Sequence, residues 1–307
     1  MENLQNVKSI KKKRFTAKTK FLIVMLLFPM AQFILFYFGV NFNSLLLSIQ
    51  KYENGKFVIS GFEQYVKVFK DIFINGNLSV QIKNSAIMLG VNMLICLPLN
   101  VFVAFCVWKK LPFSGFFKVI LFLPNVISGI VFVLVARYLL DWGLPTLLGN
   151  PDMTSLLNTN SNTGFITVMI FGVWLGFSSG MVVYLSAMSS ISIDVVEYSK
   201  LEPINFFQEF IHIVVPSIFP TITTYTLTTV AGFFTNYGFL FSFFGGGATT
   251  NQVETLGYRF FVILASNSAQ PSDYPYCAAA GLFFSMIVGP IVLSIKYMME
   301  RFGPSEE

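Results

Sequence analysis

Six long apolar runs set the limits on what this chain can fold into. They lie at about Phe21–Asn41, Ala86–Trp108, Phe116–Leu140, Phe165–Ala187, Ser217–Phe244 and Cys277–Met299, and none contains Asp or Glu. Each is long enough to cross about 30 Å of hydrocarbon as a helix. In lipid every backbone N–H and C=O must be satisfied inside the protein, and a helix does this within one segment. The predicted fold class is therefore all-α, a polytopic membrane protein of six transmembrane helices. Charged residues make up 11% of the chain, against about 25% in soluble domains, so soluble and disordered classes are excluded. The first run outlasts the roughly 7–15 apolar residues of a signal peptide, with no small-residue cleavage site after it. It is expected to be a retained helix.

Basic residues orient the chain. The net charge is +5, but seven of the twenty Lys and Arg precede Phe21, a topology signal rather than a nucleic-acid surface. No nucleic-acid partner is expected; membrane lipid is. With six spans, Lys109, Lys110, Lys118, Lys200, Lys296 and Arg301 fall on the side of that basic tail, which predicts both termini in the cytoplasm. The long loop after the first span carries Lys51, Lys56, Lys67, Lys70 and Lys83 on the other side. It also carries a helical stripe, Phe62, Tyr65, Val66, Phe69 and Phe73, expected as a short helix in the membrane surface. The expected organisation is a basic tail over 1–20, one membrane domain over 21–300 with a cytoplasmic loop at about 190–212, and a short end over 301–307.

Much chemistry is missing. Ion-coupled carriers place ionisable groups at membrane depth, and these runs hold no carboxylate. Arg137 stands four residues before Asp141, a helical pairing distance, and reads as a locally paired snorkelling Arg or, alternatively, a substrate ligand. No phosphate loop or nucleophile elbow is present, so no enzyme activity and no bound cofactor are expected. Cys96, Cys106 and Cys277 form no CxxC pair and read as small apolar residues. A single His, His212, cannot make a multi-histidine metal site. Gly172, Gly176 and Gly180 repeat every four residues, one helix face that admits a close neighbour.

The remaining feature is a polar island between the fourth and fifth runs. Glu197 is followed six residues later by Pro203, and then by Ile213, Val215 and Pro216. This frame resembles the Glu-Ala-Ala loop of ATP-binding-cassette importer permeases: Glu-Ala-Ala, three residues, Gly, nine residues, Ile-x-Leu-Pro. Tyr198 and Ser199 replace the two Ala, Glu202 the usual Asp, Pro203 the Gly, and Val215 the Leu. Pro and Gly both end a helix, so the break should survive. Other segments are similar to the maltose and glycerol-phosphate branch. They are Gly61 to Tyr65 with Phe69 and Asp71, Asn84-Ser85, Phe122-Leu123-Pro124, Trp174-Leu175-Gly176-Phe177 and Gly246-Gly247.

The resemblance implies a type I ABC importer permease fold in a bacterial cell membrane. It implies a second homologous permease, two ABC ATPase subunits that hold ATP and Mg, an extracellular solute-binding protein and a sugar-like substrate. Asp194, Glu197, Tyr198, Leu201, Glu202, Pro203 and Ile204 would couple to an ATPase groove; alternatively the two Glu merely hydrate a loop. By the same likeness, Leu175, Gly176 and Ser179 with Thr229, Gly232, Phe233, Asn236 and Tyr237 would face the substrate path. For Asn236 a hydrogen bond to a neighbouring helix is the other reading. An ion-coupled carrier and a non-transporting membrane scaffold are the competing functions.

Overall fold

The computed structural model of the chain describes residues 17–149, 156–158, 162–201, 203–245, 252–265 and 269–304. The basic residues before Ala17, Glu202 and the Gly246–Gly247 pair lie outside them, and for Ser179 and Lys200 the backbone alone is described.

Helix α1 spans 17–48, a β-hairpin pairs β1 (Gln50–Glu53) with β2 (Lys56–Ile59), and α2 is Glu63–Phe73. Helices α3 (Ser79–Trp108), α4 (Ser114–Val126), α5 (Gly129–Leu147) and α6 (Asn162–Ser189) follow. The short α7 is Ile193–Leu201. Then come α8 (Phe206–Ser217), α9 (Phe219–Ala231), α10 (Leu240–Phe244), α11 (Leu256–Ala265) and α12 (Asp273–Phe302). Five of these helices are long and apolar enough to span a membrane, and α8 with α9 makes a sixth candidate bent by 72°.

Two expected spans are interrupted. The third breaks where Ile127 and Ser128 adopt extended backbone, so α4 and α5 are separate helices and α5 runs on to Leu147. The fifth does not run to Phe244. It ends at Ala231, and Gly232–Phe239 is a chain of turns in which Gly238 has a left-handed φ of 52°, a conformation that suits glycine.

Among the described residues four helical turns widen; the one at Phe33–Phe38 has no proline just after it, and proline sets the other three. Helical turns widened to π geometry cover Asn92–Cys96, Leu139–Gly143 and Phe210–Val214. Each ends two residues before a proline: Pro98, Pro145 and Pro216. The proline ring clashes with the carbonyl four residues back and offers no N–H. The residue before each proline instead donates to the carbonyl five residues back: Leu97 to Asn92, Leu144 to Leu139, Val215 to Phe210. The widened turn keeps the backbone satisfied, which lipid requires.

Three clusters hold the bundle. One joins Val101, Ala104 and Phe105 of α3 to Met181, Tyr184 and Met188 of α6 and to Val214, Ile218 and Ile222. A second gathers Val133, Phe165, Leu240, Phe243 and Tyr258. The third sits at the hairpin end, with Val68, Leu78, Leu256, Ala280 and Phe284. From Lys20 to Asn43, α1 has no buried or half-buried residue; its last turns pack on α12.

The outer-loop stripe does form a helix, α2. It packs through Tyr65 of the stripe and through the side that bears Val68 and Asp71. Val68 is fully buried, Tyr65 donates to Ser48 Oγ at 2.9 Å, and Tyr276 donates to Asp71 at 2.9 Å. Phe62, Val66, Phe69 and Phe73 are exposed. Burial alone would raise the Asp71 carboxyl, but hydrogen bonds from Asn75, Tyr276 and Asn77, with Lys67 nearby, hold it below the usual carboxylate range.

The glycine face of α6 is a close helix contact for two of its three members. A methyl group on Gly180 would sit 2.5 Å from Asn100 Nδ2, and one on Gly176 would sit 3.8 Å from Cys96 Sγ. At Gly172 it would meet nothing within 4 Å. Gly180→Ala should therefore cost about 1–3 kcal/mol through overpacking. Gly172→Ala should be neutral or slightly stabilising, because alanine suits a helix better. Thermal unfolding of the two variants in detergent compares them directly, and equal midpoints would contradict the contact.

Candidate functional site: a projecting helix and a membrane cavity

Helix α7 stands out from the body. Ile193, Asp194, Val195, Glu197, Tyr198 and Leu201 are exposed, with Leu201 at 80%. Ser199 is buried and Val196 half-buried. Ser199 Oγ donates to Val196 O at 2.8 Å and lies 3.4 Å from Glu209 Oε1. Pro203, Ile204 and Asn205 are not helical. Asn205 has ψ of 159°, and its N–H donates to Gln208 Oε1 at 2.8 Å, opening α8. The expected break between two helices is present, with Pro203 exposed and Ile204 half-buried.

The root of this projection is an aromatic and ionic joint. Phe206, Phe207 and Phe210 of α8 pack around Phe102 of α3, with ring centroids 5.6–6.4 Å apart. Phe105 meets Phe206 at 4.8 Å and Phe210 at 5.1 Å. Lys109, just past the end of α3, reaches Glu209 Oε1 at 2.5 Å, and Glu209 is buried. Glu209 was missed from sequence, where a Glu in a charged loop looks solvated; its partner lies a hundred residues away.

The opposite end carries a second polar knot. Asn84 Nδ2 donates to the carbonyls of Gln252 and Glu254 at 2.9 Å each, and Ser85 Oγ accepts from Leu256 N–H at 3.0 Å. Glu254, nearly buried, accepts from Gln81 and Arg259. The Asn84-Ser85 pair thus clamps the start of α3 to the segment that opens α11. Arg137 and Asp141 form the expected local ion pair at 3.6 Å.

Between these ends lies a cavity of about 440 Å³, bounded by α3, α6 and the turns after α9. Leu175, Gly176, Asn236 and Tyr237 line it. Thr229, Gly232 and Phe233 do not: Thr229 Oγ1 bonds back to Tyr225 O at 2.9 Å, Gly232 closes α9, and Phe233 rests on Phe234 at 4.3 Å. The Ser179 side chain is outside the described set. Met88, Asn92 and Phe239 also line the cavity. Asn92 could have been noticed as an amide inside an apolar run; Met88 and Phe239 carry no such signal. The Asn236 Oδ1 accepts from Gly238 N–H at 2.8 Å, closing its own turn, and the Asn236 carbonyl accepts from Thr255 Oγ1 at 3.4 Å, just before α11. The Tyr237 ring stacks on Phe261 at 4.8 Å. Amides and ring faces on an apolar wall are a surface suited to a polyhydroxylated solute. Tyr237 also borders a larger open groove between α1, α11 and α12.

Gly257 fixes the turns on that wall, since a methyl group there would fall 2.6 Å from Thr235 O, a backbone atom that cannot swing aside. Gly257→Ala is expected to lower stability by about 1–3 kcal/mol, and a thermal midpoint equal to wild type would refute the placement.

Comparison with known proteins places this arrangement. Residues 82–306 match the family described as binding-protein-dependent transport system inner membrane component. The multiple sugar-binding transport system permease protein MsmF of Streptococcus mutans is 25% identical over 203 residues, 64% of this chain and 68% of that one. The arabinooligosaccharides transport system permease protein AraP of Halalkalibacterium halodurans is 22% identical over 287 residues, 90% of this chain and 86% of that one. Against the first three relatives the aligned stretch spans 48–68% of their own length. In fold, a chain of the bacterial alginate ABC transporter, crystallised with an alginate pentasaccharide-bound periplasmic protein, superposes with a TM-score of 0.72 at 19% identity. That match covers 92% of this chain and 95% of the other.

Proposed function

This chain belongs to the binding-protein-dependent transport system inner membrane component family, and on that premise we propose that it is one permease subunit of an ATP-driven importer for a sugar or oligosaccharide. The observation that carries the reading is α7. A nine-residue helix with most of its side chains exposed, in a chain built mainly of helices long and apolar enough to cross a membrane, is shaped to enter a groove on another protein. Asp194, Glu197, Tyr198 and Leu201 supply its charge and its apolar surface. Glu202, outside the described residues, follows in sequence, and Pro203 and Ile204 shape its exit.

The end of the bundle with α7, Lys109 and the close of α12 faces the cytoplasm in this reading, so both termini are inside. Two ATPase subunits carry ATP and Mg and receive α7; this chain supplies no catalysis. A second, homologous permease completes the path, and an extracellular binding protein delivers cargo at the hairpin end. Closing of the ATPase pair moves α7, and rigid-body rocking of the helix groups alternates access to the cavity. The sugar class rests on the named relatives and on the amide and aromatic lining of Asn92, Asn236 and Tyr237.

Purification from a cell that also expresses the neighbouring genes tests the core of this. The wild-type chain should come away with an ATPase. Glu197→Ala, on an exposed position with little effect on folding, should lower recovery of the ATPase or its stimulation by loaded binding protein about tenfold, as for loss of a charged contact at an interface. Wild-type recovery and stimulation in that variant would count against coupling through α7. In the same preparation Asn236→Ala should weaken uptake while leaving the ATPase bound.

A further inference from the structure

We propose that Lys109 and Glu209 are positioning residues, a shielded ion pair that makes α3 and the cavity it lines follow the movement of α7. The proposal rests on the reading of α7 as the ATPase contact. Two described residues anchor α7 to the body: Ser199 is buried and Val196 half-buried, while its other described side chains are exposed. Ser199 Oγ lies 3.4 Å from Glu209 Oε1, and that same oxygen is 2.5 Å from Lys109 Nζ. Lys109 closes the C-terminal end of α3, its N–H bonded to Phe105 O. Farther up the same helix, Cys96 and Asn92 line the cavity. One oxygen therefore joins the projecting helix to the helix that walls the substrate path.

The surrounding rings explain why this pair and not the packing alone sets the register. Phe102 and Phe105 press against Phe206, Phe207 and Phe210. Apolar contact of this kind is non-directional, and rings can slide over one another at little cost. A charge pair sheltered by them is drawn together more strongly than it would be in water. It therefore holds one position along the joint. When α7 and the start of α8 are pushed, Glu209 moves and Lys109 must follow.

Cys96 offers a readout inside the cavity, being buried and next to Gly176. In a Cys106→Ser, Cys277→Ser background, the complete complex with its ATPases is labelled with a maleimide, with and without ATP–Mg and vanadate. The unaltered pair should show a labelling rate at Cys96 that changes about fivefold or more on nucleotide binding, a typical coupling factor between sites. Glu209→Gln and Lys109→Gln should each abolish that change while the ATPases stay bound, whatever midpoint is lost by removing one partner of the pair. The reversed pair, K109E with E209K, should restore it. A merely structural pair would shift the midpoint and leave the nucleotide response intact. Single variants that respond as wild type does, or a reversed pair that assembles and stays silent, would overturn the proposal. If a single variant fails to assemble, the reversed pair decides alone. A wild-type chain recovered without ATPases would instead reject the reading of α7, and the two failures are told apart at that first step.

Discussion

Lipid offers no hydrogen bonds, so a chain crossing it must satisfy its own backbone. That requirement governs the irregular parts of this fold as well as the regular ones. At Pro98, Pro145 and Pro216 an amide donor is missing, and in each case the helix answers with a turn widened to a five-residue reach. A widened turn changes the direction of the side chains beyond it. The one before Pro98 spans Asn92–Cys96, where α3 presents Asn92 and Cys96 to the cavity. The one before Pro216 precedes the 72° bend between α8 and α9. Backbone bookkeeping and the shape of the path are thus a single problem.

The two ends of the bundle are tied differently. At the hairpin end the ties are dense and short: Asn84, Ser85, Gln81 and Arg259 gather the backbone and carboxylate of one segment. Such a satisfied network rigidifies what it joins. At the α7 end, an aromatic joint, an ion pair and the cluster that includes Val214 hold α8 to α3, and most of the described side chains of α7 are exposed. In the proposed reading, this distribution of bonds gives a lever its fixed end and the end that is pushed.

Much of this was legible in the sequence, for physical reasons. Uninterrupted apolar runs without carboxylates leave no alternative to membrane helices, and the frame Glu197, Pro203, Ile213, Val215, Pro216 located a two-helix break that is present. The amphipathic spacing of Phe62, Tyr65, Val66, Phe69 and Phe73 found α2. Hydropathy could not find the breaks at Ile127–Ser128 and after Ala231, because the flanking residues are equally apolar on both sides. The hairpin at 50–59 was likewise invisible within a loop of mixed composition. In the site, Leu175, Gly176, Asn236 and Tyr237 share one wall, whereas Thr229, Gly232 and Phe233 sit on α9 or its close, below the turn that builds the wall. The likeness that put those three on the path took the fifth span as one helix to Phe244, and that helix ends at Ala231.

The least legible residue is the one on which the proposed movement turns. Glu209 lies in a stretch, Asn205 to His212, whose polarity suggests a hydrated loop. It is buried because Phe206 and Phe210 flank it on the same side of a short helix, and because Lys109 arrives from another span. Sequence distance hides such a pair. A buried carboxylate with its partner removed costs about 3–5 kcal/mol, so neither residue can drift alone without penalty. Placing that mutual dependence at the root of an exposed helix makes the joint stiff along one direction and leaves the helix itself open to a partner. Under the proposed coupling, a push on α7 reaches α3 through Glu209 and Lys109.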